Sequence, residues 1–240
     1  ITVCAFFVTK VAVSFIASSQ LVYKLKFYAM KLSNIPRFRL LSIVLIASML
    51  ITACTNDETE ALATEFNTLE LSLEDKNALL FMLEEEKLAR DTYEYLDELW
   101  GINQFSNIKL SEQSHMEAVI GLLDQYDIAY NMLADGVFEN VEIQGLYDQF
   151  VEKGQIDPLN ALEVGATIED LDIVDLEEFI TATSNTSIIS VFESLQCGSR
   201  NHLRSFVRAI ENSDAVYEPQ FLTLDDYDKI IGESNEKCGR

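Results

Sequence analysis

The 240 residues contain only two histidines, His115 and His202, and both sit where a helix would turn them inward. Residues three, four and seven apart share one face of a helix. Around His115 that face carries Ile108, Glu112, Ala118, Val119 and Leu122; around His202 it carries Leu195, Gly198, Ser199, Phe206 and Ala209. Carboxylates interrupt the same apolar stripes. Glu86 stands among Leu79, Met82, Leu83, Ala89 and Tyr93, and Glu112 among Phe105, Ile108, Met116 and Val119. Glu169 stands among Leu162, Gly165, Ala166, Ile173 and Leu176, with Asp172 one turn further on. A buried ionised carboxylate without a partner is costly, so acids at such positions are paired, protonated or metal-bound. Glu-x-x-His alone arises by chance, but four carboxylates and two imidazoles facing inward from four helices make a fuller set. Oxygen-rich sets with few nitrogens suit a pair of iron or manganese ions. Arg90, Arg200 and Arg204 offer the competing arrangement, a salt-bridged core without metal. Gly165, Ala166, Gly198 and Ser199, one turn before the candidate ligands, either leave room beside a cluster or mark a close helix crossing.

Long helices are needed to position these side chains, and the hydrophobic period supplies them. From Leu73 the 3.6-residue repeat runs to Trp100, with Ser72 and Asp75 as a capping box and Gly101 as the stop. A second helix is expected from near Ser106 or Asn107 to about Tyr126. Residues 130–155 hold Gly136, Gly145 and Gly154 around a short amphipathic piece at 143–151. Asp157 and Pro158 give an N-cap and a first-turn proline for a third long helix to about Ala182. Residues 184–187 read as a turn, a fourth helix is expected at 188–211, and a shorter one at 224–231. No strand alternation stands out. The pattern predicts an all-α fold: a ferritin-like four-helix bundle over residues 72–212 with a crossover segment between helices 2 and 3. Residues 213–240 form a C-terminal tail.

Several runs carry a family resemblance. Glu86-Lys87-Leu88-Ala89-Arg90-Asp91-Thr92-Tyr93 resembles the E-x-x-A-R-x-x-Y segment on the first helix of rubrerythrins, which are ferritin-like di-iron proteins. Ser111-Glu112-Gln113-Ser114-His115 is similar to their second-helix Glu-x-x-His, and Glu169-Asp170-Leu171-Asp172 to their third-helix Glu-x-x-Glu, with Asp in place of the second acid. The wider set EEEKLARDTY, NIKLSEQSHMEAV, LEVGATIEDLDI and GSRNHLRSF resembles the domain-of-unknown-function 2202 family of ferritin-like proteins over about residues 74–212. The resemblance implies two iron ions, with manganese or zinc as alternatives. Glu86 would bind one ion, Glu112 or Glu169 would bridge, and His115 and His202 would cap opposite sides, with Asp172 adding a carboxylate. On the fourth helix the pattern departs: Ser199-Arg200-Asn201-His202 has serine where rubrerythrins have an acid, which leaves a mononuclear site or a redox-inert zinc site open. The rubredoxin-type cysteine pairs of rubrerythrins are absent, so a redox reaction would draw on an external electron donor.

Charge divides the chain. Residues 1–53 have six basic residues and no acid; all 40 acids lie in residues 54–240, with 11 basic residues, in a chain of net charge −23. Phosphate would be repelled, which argues against nucleic acid as a partner. Residues 30–53 read as a lipoprotein signal peptide: Lys31, Arg37 and Arg39, then an apolar run too short to span a bilayer, then Ile51-Thr52-Ala53-Cys54, which resembles a lipobox. Residues 1–29 read as an upstream over-extension of the reading frame, and 54–71 as a flexible tether. Lipidation of Cys54 would anchor the protein to the membrane in the bacterial cell envelope, and Thr55 suits outer-membrane sorting. In an oxidising compartment Cys197 and Cys238 either pair or stay as free thiols. The expected function is that of an envelope lipoprotein with a di-iron carboxylate site, working on O₂ or peroxide as an oxidoreductase or ferroxidase. The alternative is a non-catalytic metal-binding or interaction module.

Overall fold

In the structure, a computed structural model, residues 71–239 are described. The signal-peptide, Cys54 and tether assignments, like the over-extension at 1–29, lie outside these residues. Among the described residues there are six helices and no strand: α1 (Leu73–Trp100), α2 (Asn103–Gln125), α3 (Val141–Gly154), α4 (Pro158–Ala182), α5 (Thr186–Glu211) and α6 (Leu224–Gly232). The protein is all-α. No helix among the described residues is long and apolar enough to cross a membrane.

Most helix ends follow the local chemistry. The Ser72 hydroxyl accepts from the Asp75 amide, and Gly101 stops α1 at φ 61°, a left-handed conformation that glycine adopts without a Cβ penalty. Asp157 caps α4 ahead of Pro158, and Asn185 caps α5 by accepting from the Ser187 and Ile188 amides. The start of α2 differs from the sequence expectation. It begins at Asn103 behind Ile102, which has no side-chain cap, while Ser106 sits inside the helix and donates to Asp97 at 2.5 Å. Burial of Phe105 draws the first turn into the core in place of a cap.

Two apolar clusters show how the long helices run. One joins Leu79, Met82 and Leu83 of α1 with Val119 and Leu123 of α2, Leu176 of α4 and Phe192 and Leu195 of α5. The other joins Leu96 of α1, Phe105 of α2, Leu162 and Ala166 of α4, and Phe206 and Ile210 of α5 with Ile143 and Phe150 of α3. Thus α1 and α5 run one way and α2 and α4 the other, with α3 lying in the connection between α2 and α4. Glu86, Glu112, Glu169 and Ser199 are buried in the layer between the two clusters.

Polar clamps fix the connections. Along α1, Glu84 accepts from the Glu139 and Asn140 amides, Lys87 donates to Asp91 and the Ala134 carbonyl, and Asp91 accepts from the Gly136 amide at 2.8 Å. The buried Asp170 accepts from the Tyr217 hydroxyl and the Gln220, Phe221 and Leu222 amides, which straps the segment after α5 onto α4. Cys197 and Cys238 form a disulfide with Cα atoms 5.5 Å apart, tying the tail to α5. Glu236 reinforces that tie by pairing with Arg200 and Arg204.

Candidate metal centre

The four long helices each bring a buried or largely buried ligand-type side chain to one layer. Glu86 comes from α1, Glu112 and His115 from α2, Glu169 and Asp172 from α4, and His202 from α5. His115 Nδ1 lies 2.8 Å from Glu112 Oε2 and 3.2 Å from Glu86 Oε2. His202 Nδ1 lies 2.8 Å from Glu112 Oε1 and 3.4 Å from Glu169 Oε2. Glu112 therefore turns one oxygen to each imidazole, and the two rings stack at 5.6 Å between centroids. Two triplets result, Glu86–Glu112–His115 and Glu112–Glu169–His202, each with ligand atoms within 4.8 Å of one another.

The contacts within these triplets suit a shared ion. Glu112 Oε1 and His202 Nδ1 are 2.8 Å apart, yet neither makes a hydrogen bond, and the buried Glu86 Oε1 also has no donor. Ligands held about 2.1 Å from one octahedral ion stand about 3 Å from their neighbours. The observed 2.8–3.4 Å spacings bracket that value.

Electrostatics add to the picture. Burial pushes the Glu86 carboxyl up to about 8, and burial with the nearby Glu112 pushes Glu169 up. Burial, with Glu86 beside it, drives Asp172 well above the carboxylate range. Burial would also raise Glu112, but the two imidazoles outweigh it and hold that group far below its ordinary value. For the imidazoles burial acts downward, but the facing carboxylates prevail and lift both, His202 to about 10. The layer thus retains protons that a cation would displace.

Neighbouring groups orient the ligands. The buried Tyr93 hydroxyl donates to Glu169 Oε1 at 2.6 Å, leaving Oε2 toward His202. Asp172 stands outside both triplets, with Oδ2 accepting from Ser199. The salt-bridge alternative fails on geometry, because none of its three arginines reaches these acids. Arg90 meets Asp91, Gln113 and Asp135, while Arg200 and Arg204 turn to Glu236. Sequence reasoning missed Glu85 and Asp175, both buried on the α1 and α4 sides of this layer. Three consecutive glutamates, Glu84 to Glu86, in the buried middle of a helix were the available signal, since neighbouring residues cannot all point to solvent.

The small residues divide between their two roles. A Cβ on Gly165 would come within 2.4 Å of the Phe206 ring, so Gly165 marks a close crossing of α4 and α5. A Cβ on Gly198 would sit 2.7 Å from His115 Nε2, so Gly198 makes room for a candidate ligand. Gly198→Ala is expected to displace the His115 ring and weaken metal binding by about 10–100-fold, with only about 1–3 kcal/mol lost from the metal-free fold. Metal titration alongside urea unfolding checks this. Unchanged affinity would mean that His115 does not bind through its present ring position.

Comparison with known proteins extends beyond the layer itself. A family model for an uncharacterised protein domain, DUF2202, matches residues 75–234, from the first turn of α1 to just past α6. Uncharacterized protein MJ0754 of Methanocaldococcus jannaschii is 48% identical over 169 residues, which is 70% of this chain and 91% of that protein. The crystal structure of hypothetical protein MJ0754 from Methanococcus jannaschii DSM 2661 aligns with a TM-score of 0.68 at 48% identity, covering 69% of this chain and 96% of the other. The model match spans more than half of the sequence and takes in every residue of both triplets, and the chain belongs to the DUF2202 family.

Proposed function

We propose that the chain is a ferritin-like four-helix bundle, with α3 in the crossover segment between α2 and α4, that holds two metal ions in its two triplets. The carrying observation is the shared carboxylate: Glu112 turns one oxygen to each imidazole at 2.8 Å, and on the His202 side neither Glu112 Oε1 nor Nδ1 makes a hydrogen bond. Glu86 and His115 would complete one position, Glu169 and His202 the other. Iron is the favoured occupant on the resemblance of the motifs, and an iron pair would supply electrons for reducing O₂ or peroxide.

The chain's own residues then have definite tasks. Tyr93 fixes Glu169 through Oε1, so the free oxygen keeps one direction. The imidazole side chains are 12% exposed, against 1–2% for Glu86, Glu112 and Glu169, so a small oxidant would approach on the α2–α5 side. Glu86 and Glu169, both pushed toward protonation by burial, can hold or release a proton at a carboxylate oxygen as the charge of the site changes. A second reading, a non-catalytic metal-binding or interaction module, is favoured by Ser199, which stands where an additional acid would complete the set and instead binds Asp172.

Anaerobic loading of the full chain with Fe(II), followed by metal analysis and then exposure to peroxide, tests the reading. About two ions per chain and turnover of peroxide or Fe(II) are expected. Two ions without turnover would favour the module. Retention below about 0.2 ions per chain would remove the metal altogether.

A further inference from the structure

The segment after α6 runs back along α5 and grips it at positions next to the ligand layer. Cys238 is bonded to Cys197, the residue before Gly198, where a Cβ would meet His115 Nε2. Asn201, the residue before His202, holds the tail backbone with both ends of its amide: Oδ1 accepts from the Glu236 N–H at 2.8 Å, and Nδ2 donates to the Glu236 carbonyl at 3.1 Å. Nδ2 also donates to Cys238 Sγ at 3.1 Å. Gly239 then reaches the α2 side of α5, where a Cβ would stand 3.0 Å from Ser194 Oγ. Ser194, Gly198 and His202 follow one another at four-residue intervals and share one face of α5. The strap therefore ends beside the imidazoles, whose side chains keep 12% exposure. We infer that residues 233–239 are a strap along the imidazole side of the ligand layer, with the Cys197–Cys238 bond as a thiol-sensitive latch that slows the approach of solutes to His115 and His202.

The composition of the strap explains why a covalent latch matters. Glu233, Ser234, Asn235, Glu236, Lys237 and Gly239 offer no apolar side chain to bury, so the segment depends on the bridge and on polar contacts. Cys197 is buried and Cys238 half-buried, so an attacking thiolate meets the Cys238 sulfur first. That attack forms a mixed disulfide on Cys238 and expels Cys197 as a thiolate, which takes up a proton. The second thiolate of the same dithiol then displaces Cys238, which is protonated in turn, and the reductant leaves as its own disulfide. Two electrons and two protons pass to the chain. With the bond open, the strap can lift by breaking polar contacts alone, a local opening that leaves the bundle folded. If the triplets hold ions, as proposed above, the latch also sets how fast those ions enter and leave, without changing which residues bind them.

The two histidines are the whole complement of the chain, so their acylation by diethyl pyrocarbonate, read residue by residue by mass spectrometry, tests the strap. The measurement uses the metal-free full chain at one fixed pH. Cys238→Ser is expected to raise the rate at both histidines about ten-fold over the oxidised wild type. Glu236→Gln keeps the bridge but loosens the clamp on Arg200 and Arg204, and should raise the rates about two- to three-fold. Wild-type rates in both variants would overturn the strap. If Cys238→Ser loses amide protection throughout α1, α2 and α4, its faster acylation reports unfolding, and Glu236→Gln alone decides: a rise supports the strap, and no rise overturns it. Thiol titration of the folded wild type in dithiothreitol reads the latch: both cysteines are expected to titrate without denaturant, and a bond that resists would overturn it. Chelator-driven release of iron from the loaded full chain separates this inference from the metal reading. Faster release from Cys238→Ser supports both. Histidine rates that differ in proteins that bind no ion would remove the metal and leave the strap, whereas bound ions with equal histidine rates would do the reverse.

Discussion

His115→Ala and His202→Ala are each expected to lower bound iron from about two ions per chain to about one or fewer, although the residues lie on different helices. The cause is the shared ligand. Each imidazole is the only nitrogen in its triplet, and Glu112 belongs to both, so an ion lost from one side leaves Glu112 to reorient toward the other. Metal analysis of each variant after anaerobic loading is the measurement, and iron at the wild-type level in both would sink the assignment. The metal-free protein should also show a pH signature. Glu86 is lifted from its unfolded value to about 8 and His202 to about 10. For groups raised on folding, the favourable contribution is complete below the unfolded value and is lost as pH rises through the folded one. The metal-free form should therefore lose stability from about pH 5 upward, most steeply between about pH 6.5 and 8, where both groups keep a proton that the unfolded chain has released, and should level off above about pH 10. Glu112, held low, acts in the opposite sense, but only in acid. Ion binding displaces the retained protons, so stabilisation by metal should grow over the same alkaline range. Urea unfolding across pH, with and without metal, reads both trends.

Reduction of the Cys197–Cys238 bond, or Cys197→Ser, is expected to cost about 4 kcal/mol of unfolding free energy in the chain-entropy picture. The bridge joins residues 41 apart in sequence, and the loop it closes contains Asn201, Arg204, the strap fastened by Asp170, and α6. Without it the tail would depend on Glu236, whose carboxyl Arg200 and then Arg204 hold down at about 2. The Arg200 pair is partly exposed and contributes little at moderate salt, whereas the Arg204 guanidinium is buried and its pair with Glu236 is screened less. Denaturant midpoints with and without reductant give the number. A loss below about 1 kcal/mol would show that the ion pairs alone keep the tail in place.

The helices and the inward placement of the acids and imidazoles were legible in the sequence because both rest on local rules. Apolar period, capping residues and Gly101 delimit α1, and the inward phase of His115 and Glu112 follows from spacing alone. What spacing could not give was direction in the third dimension. Glu112 and Glu169 were equal candidates to bridge, and only the approach of α5 beside α2 gives Glu112 a second imidazole. Arg200 and Arg204 stand near the candidate ligands in sequence, yet a glutamate more than 30 residues away draws them to the opposite side of α5. Tyr93 reads as one more apolar neighbour of Glu86, and its hydroxyl finds Glu169 only after α1 and α4 pack. Asp170 lies within a run of acids, and nothing local marks it as the anchor of the 217–222 segment.

The two apolar clusters on either side of the ligand layer make the molecule a pair of hydrophobic domains in series, joined through a polar waist. The end with Phe105 and Phe206 is also fastened by α3, the Asp170 strap and α6, whereas among the described residues the end with Leu79 and Phe192 adds to its four helix segments just Leu71 and the short Tyr126–Tyr130 stretch. Cooperativity between the ends must pass through the waist, where buried carboxylates repel one another unless protons, or the proposed cations, offset their charge. Amide exchange should therefore divide into two families, with the Leu79–Phe192 end opening at lower free energy in metal-free protein. A cation cross-linking the waist would merge them, so that the ligand layer governs whether this chain unfolds in one step or two.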